Sequence, residues 1–185
     1  QEPFLYSKLK QLQNEEYDWL SSSAVESCIK QLECVVGPQC KTQQWTAEKS
    51  ILTQSNDMDH YYIDRFIGEL LEDSSIVYRI GARVDLMTED SIWEMKCTSN
   101  LTIDHKIQLI IYMWIWYMTV HPSQWKIREK SGFLFNIKTG ELLKLNASFE
   151  DLNAIVSAIL KDKYKMSAPK TDEEFLQNIY ETRGF

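Results

Sequence analysis

The stretch from Leu109 to Val120, LIIYMWIWYMTV, constrains this chain more than any other. It is apolar almost without a break, and with the residues before it predicts one long helix, Thr102–Val120. At about 1.5 Å per residue its twelve residues cover about 18 Å, well short of the roughly 30 Å hydrocarbon core of a bilayer. Ile, Trp, Tyr and Met occupy nearly every side of it, so the helix should be buried between layers. No membrane span is expected. His121-Pro122 ends the run, because proline disfavours helical geometry at the residue before it.

The flanking segments predict the nature of those layers. The first fifty residues read as helix and loop: Ser21-Ser22-Ser23 offers a cap to a helix at Ala24–Leu32, and Gly37-Pro38 breaks the chain beyond it. Asp57 or Asp59 caps a helix to about Leu71, on which Ile63, Phe66, Ile67, Leu70 and Leu71 recur at helical spacing. The texture then turns β-rich at Ile76–Leu86, with a turn at Thr88-Glu89-Asp90 and a second strand at Ile92–Cys97. Beyond the long helix, Gly132–Lys138 and Glu141–Asn146 flank Thr139-Gly140 and read as a hairpin with a two-residue connection. Ser148 caps a last core helix, Phe149 to about Tyr164, with Glu150 and Asp151 favouring its dipole. Past Ser167 the chain is polar until an amphipathic stretch at Glu173–Tyr180. The expected fold class is α/β: a central mixed β-sheet flanked by helices. An N-terminal helical annex is expected at 1–56, the core at 57–166 and a tail with a short helix at 167–185.

A formal charge of −7 does not advertise a nucleic-acid binder. An acidic chain can still present one basic face, and from Lys126 to Lys165 eight Lys and Arg stand against five Asp and Glu. The plain reading of that stretch is a solvated surface. With no leader segment visible, an intracellular, soluble protein with free thiols is expected. The C-x5-C-x5-C spacing of Cys28, Cys34 and Cys40 matches no common zinc motif. Gln1 in place of an initiator Met reads as a piece of a longer protein.

Chemistry concentrates on the β-rich segment. Asp85 ends one strand, and Glu94 and Lys96 lie two apart on the next, so their side chains emerge on one face. If the strands pair around the Thr88–Asp90 turn, three charges converge in a β-rich core, which is costly unless something pairs with them. A hard divalent cation suits two carboxylates, because magnesium prefers oxygen ligands. Lys96 would then orient a water or offset charge developing on a phosphate. The competing reading is an ordinary surface pair on a solvent-facing strand, since D-x8-E-x-K is short.

Gly81-Ala82-Arg83-Val84-Asp85, then Glu94-Met95-Lys96, then Gln108-x3-Tyr112 resembles the PD-(D/E)xK nuclease superfamily, and within it the RecB/Cas4-type exonuclease branch. That branch carries G-x-x-D, E-x-K and Q-x-x-x-Y in this order; here Gly81 stands one residue further from the aspartate. The resemblance covers about Asp57 to Tyr164 and implies a restriction-endonuclease-like core. It implies Asp85 and Glu94 as ligands of Mg2+ or Mn2+, the Met95 backbone carbonyl as a third, and Lys96 as the catalytic lysine. It further implies that Gln108 and Tyr112, which share a helical face, look toward the active site and DNA. Members of the branch place a histidine ligand on the preceding helix. His60 is the candidate, with Asp64 one turn on and Glu69 as an alternative acid. Some carry an iron–sulfur cluster on four cysteines; with three of the four here ahead of the core, none is expected.

Arg83 shares the Asp85 face by parity, as does Arg79, and Lys106 adjoins the Gln108 face, so Arg83 and Lys106 are candidate substrate-binding residues. His105 comes after the Glu94-x-Lys96 strand, either near a phosphate or merely exposed. Trp114, Trp116 and Trp125 read as core. The expected function is a metal-dependent nuclease acting on DNA, single-stranded or at duplex ends. A helicase or another replication or repair module in the parent protein is the expected partner. A catalytically idle nuclease-fold module binding nucleic acid or protein, and a structure-specific endonuclease, are the alternatives.

Overall fold

The computed structural model describes residues 21–52, 57–73, 80–119 and 129–167. The Ser21 side chain accepts a hydrogen bond from the Ala24 N–H at 3.2 Å and opens helix α1, Ser22–Val35. Gly37-Pro38, expected to break the chain, instead starts a short helix α2, Gly37–Thr42. Proline suits a first turn, where its missing N–H would have had no helical partner. The next element departs further from expectation. Trp45–Leu52, expected as part of a helical annex, is strand β1, so residues 1–56 contribute an edge of the sheet. Its residues 45–50 are exposed and show no apolar alternation; pairing with the neighbouring strand sets its conformation.

The remaining elements keep the expected order: α3 (Asp57–Leu71), β2 (Ala82–Thr88), β3 (Ser91–Lys96), α4 (Ile103–Thr119), β4 (Ser131–Asn136), β5 (Leu142–Leu145) and α5 (Phe149–Ser167). The five strands form one mixed sheet in the order β1-β2-β3-β4-β5. β3 and β4 are parallel from Ser91↔Ser131 to Lys96↔Asn136, and the other three neighbouring pairs are antiparallel. A parallel pair needs a long crossover, and α4 lies in that connection.

Alternation along the central strands divides the interior in two. Ile92 and Leu134 face a core built with Ile63 and Ile67 of α3, Met113, Trp114 and Ile115 of α4, and Leu152 and Val156 of α5. Trp93 and Phe135, their chain neighbours, face the other way and pack with Leu86 and with Val36 at the α1–α2 junction. The sheet is thus covered by helices on both faces, and α4 touches four strands on one side and α3 and α5 on the other. Among the described residues no helix is long and apolar enough to cross a membrane.

The β4–β5 connection is longer than a two-residue turn, because the strands stop at Asn136 and Leu142. Gly140 has φ +78° and donates its N–H to the Asn136 carbonyl at 2.8 Å. A Cβ there would lie 2.9 Å from Gln31 Oε1, which shows α1 resting on this turn. At the start of α5 Ser148 and Asp151 cap each other: the Asp151 N–H donates to Ser148 Oγ at 3.2 Å, and the Ser148 N–H to Asp151 Oδ2 at 3.0 Å. All four thiols are free, with Cys28 of α1 beside Cys97 just past β3. Arg79, His121 and Trp125, with the stretch Glu173–Tyr180, lie outside the described residues.

Candidate active site

The site begins at the β2–β3 turn, where a small polar net holds two strands that then part. The Ser91 N–H donates to Thr88 Oγ1 at 3.1 Å, Thr88 Oγ1 donates to Asp90 Oδ1 at 3.0 Å, and Trp93 Nε1 donates to Ser91 Oγ at 2.8 Å. The Gln43 amide donates to the other Asp90 oxygen at 2.8 Å, and it is the main reason the Asp90 carboxyl lies below the usual carboxylate range. Lys130, almost buried, donates to the Thr88 and Glu89 carbonyls at 2.6 Å each and lies over the Trp116 ring.

From this turn β2 and β3 pair at Met87↔Ile92 and Leu86↔Trp93. One position further along stand Asp85 and Glu94. There Asp85 Oδ2 accepts the Met95 N–H at 2.6 Å, a side chain bonding backbone where the ladder ends. That contact joins Met95 to Asp85 through its N–H.

Glu94 is buried, its side chain only 3% exposed. Its Oε1 accepts from Lys96 Nζ at 2.5 Å, while Oε2 is buried with no hydrogen-bond partner among the described residues. Lys96 also donates to Gln108 Oε1 at 2.9 Å, and Gln108 Nε2 donates to the Tyr112 hydroxyl at 2.8 Å. The polarity of this chain is forced. An ammonium only donates, so the carboxamide oxygen of Gln108 must face Lys96 and its NH2 must face Tyr112. Tyr112 therefore accepts, and its own hydrogen remains for another partner.

Asp85, Glu94, Lys96, Gln108 and Tyr112 line one cavity of about 520 Å³, together with Ser50, Gly81, Ala82 and Arg83. Of the residues anticipated from sequence, this joins the acidic pair, the lysine, the glutamine–tyrosine helix face and Arg83. Arg83 is exposed, and its Nε donates to Glu48 Oε2 at 2.9 Å. Lys106 is exposed on α4 and does not border the cavity. His105 accepts the Thr102 N–H on Nδ1 at 3.1 Å, which makes it a cap of α4. His60 falls on the first turns of α3, and its side chain lies outside the described residues. Asp64, one turn on, has a buried Oδ1 with no hydrogen-bond partner among the described residues. Glu69 is exposed and paired with Arg65 at 2.8 Å. Ser50 and Glu48 belong to β1, a strand without apolar periodicity, and only the pairing of β1 with β2 would have pointed to them.

The oxygen-rich set of Asp85 and Glu94, with one buried carboxylate oxygen unpartnered, fits a hard divalent cation. No group of three or more described His, Cys, Asp or Glu side chains is close enough to enclose a metal. Magnesium needs no such cage, since it keeps several waters and binds through one or two carboxylates and substrate oxygens.

Burial raises the Glu94 carboxyl above its usual range; the Lys96 hydrogen bond and charge oppose this, and the charges of Asp85 and Glu48 add to it. A carboxyl raised in the folded state lends stability that is present below its unfolded value of about 4.5 and lost as pH rises through the folded value. Glu94→Gln should therefore melt higher than the wild type at neutral pH in a chelator, with the gap closing as pH falls toward 4.5. Thermal melts monitored by circular dichroism across that range check this, and a lower melting point at pH 7 would contradict it. No family model, no curated protein and no solved structure matches this chain.

Proposed function

We propose that the protein is a metal-dependent nuclease hydrolysing DNA phosphodiester bonds, exonuclease-like on ends or single strands. The observation that carries this reading is Glu94: a buried carboxylate with one oxygen unpartnered, in the wall of a cavity shared with Asp85 and Lys96. An unpaired buried carboxylate oxygen is expensive, and a cation bound in the cavity would relieve that cost at Glu94. The reading takes the sheet with α3, α4 and α5 as a restriction-endonuclease-like core. The parallel β3–β4 pair and the α4 crossover support it.

Mg2+ or Mn2+, held by Asp85, Glu94 and the Met95 carbonyl with His60 as a further ligand, would polarise a phosphoryl oxygen and supply an acidified water. Lys96, already fixed by Gln108 at 2.9 Å, gives up its bond to Glu94 and places its ammonium against the reacting phosphate. Gln108 keeps the ammonium oriented, because its amide is itself anchored on Tyr112. The Tyr112 hydroxyl, accepting from Gln108, donates its hydrogen to a phosphate oxygen in the cavity. Arg83 offers a second positive charge on the same wall.

Incubation with linear single-stranded, linear duplex and closed circular DNA in Mg2+ or Mn2+ tests the reading. Linear strands should shorten, closed circles should stay intact, and chelator or Asp85→Ala should stop the reaction with the far-ultraviolet spectrum unchanged. Cleavage of closed circles would point to an endonuclease on the same core. A wild-type protein that cuts no DNA in either metal would replace the enzyme with an idle binding module.

A further inference from the structure

Glu48, outside the cavity wall but bonded to Arg83 on it, is an acidic residue that no motif marks. In β1 it stands between Ala47, which faces Leu86, and Lys49, which faces Val84, so it lies across from Asp85. Its φ of +52° is a conformation that a side-chain-bearing residue in a strand rarely adopts. Its carboxylate reaches Arg83 at 2.9 Å, and its charge is felt at Glu94. Two acids beside Asp85 thus each hold a base of the cavity wall: Glu94 holds Lys96 and Glu48 holds Arg83.

The two pairs differ in how firmly they are held. Glu94 and Lys96 are largely buried, whereas the side chains of Arg83 and Glu48 are 68% and 58% exposed. An ion pair that open to water contributes little and exchanges readily. The three carboxylates outnumber the two bases by one, so a divalent charge placed among them turns the balance positive and leaves the bases in surplus. The buried Glu94 Oε2, with no hydrogen-bond partner among the described residues, is an oxygen that a cationic ligand can meet.

We propose that Glu48, which bonds Arg83 in this structure and is not close enough to Asp85 and Glu94 to enclose a metal with them, exchanges Arg83 for a divalent cation held by that pair, and that the exchange frees the Arg83 guanidinium to hold a phosphate of the substrate. This rests on the nuclease reading and deepens it. The planar guanidinium fork matches a phosphate through two parallel N–H bonds, which an ammonium cannot do. Because the exchange is shared, phosphate on Arg83 should tighten metal binding, and metal should tighten phosphate binding by the same factor.

The test is Mn2+ binding by the full chain, read from the electron paramagnetic resonance signal of the free ion, for the wild type, Glu48→Gln, Arg83→Gln and Asp85→Ala. Glu48→Gln should weaken Mn2+ by about tenfold. Arg83→Gln should tighten it several-fold, because the competing cation is gone; a residue with a purely structural role would not do this. In chelator, a fluorescent single-stranded oligonucleotide should bind Glu48→Gln more tightly than the wild type, and Glu48→Gln/Arg83→Gln should lose that gain. If Asp85→Ala loses Mn2+ while both Glu48→Gln and Arg83→Gln bind it as the wild type does, the exchange is overturned and the metal site stands. If the wild type binds no Mn2+, both fall together. Both side chains are exposed, so the variants should fold, and melting curves verify it.

Discussion

Lys96→Met should slow DNA cleavage by roughly 10³-fold or more, about 4 kcal/mol of lost transition-state stabilisation, while leaving Mn2+ binding intact or tighter. The two halves of this expectation come from the same contact. Lys96 Nζ sits on Glu94 Oε1 at 2.5 Å, so the ammonium and a metal compete for one carboxylate. Methionine keeps the aliphatic length and removes the competitor, and with it the positive charge that the reacting phosphate needs. Binding is read by titration of Mn2+, and turnover by release of a labelled end. A variant that keeps wild-type turnover would remove Lys96 from the chemistry. One that loses Mn2+ together with turnover would show that the lysine holds the site together instead of acting in it. Melting in Mn2+ is the appropriate control, since Gln108 Oε1 loses its donor in this variant.

The second large effect is on stability. Trp114 on α4 is fully buried, its ring tilted against Phe66 at 5.5 Å, and its Nε1 donates to Asn153 Oδ1 at 2.9 Å. It therefore ties α4 to both α3 and α5. Trp114→Ala should cost about 3–5 kcal/mol for the cavity, and loss of the bond to the part-buried Asn153 adds about 1 kcal/mol. Against a typical total of about 5–15 kcal/mol, that leaves the fold marginal. Trp114→Phe keeps most of the packing and loses only the hydrogen bond, so it should cost much less. Urea denaturation curves measure both. An alanine variant within about 1 kcal/mol of wild type would contradict this account of the core, because buried large-to-small changes cost more than that. The same helix carries Gln108 and Tyr112, so loosening it should also unsettle Lys96 before the chain unfolds.

These two sites show how far the residues alone can be read. The apolar run from Leu109, with no polar side to give to water, requires a helix between layers, and α4 lies between the sheet and α3 and α5. Glu94 and Lys96 at strand spacing share a face in any β-strand, and Asp85 one turn away must approach them once the two strands pair. Local period therefore sufficed for the hairpin, the helix and the cluster of charges. It did not suffice for β1. Its residues 45–50 are exposed, so nothing in Trp-Thr-Ala-Glu-Lys-Ser alternates, and only hydrogen bonding to β2 makes it a strand. With β1 come Ser50 on the cavity wall and Glu48 across from Asp85, neither visible by spacing because both are brought in by pairing across more than thirty residues of chain. Gly37-Pro38 likewise signals a change of direction, but not that the new direction is a helix. Which base each acid holds, and which oxygen of Glu94 is left without a partner, depend on burial and approach between elements, and those exist only once the sheet and α4 have closed on each other.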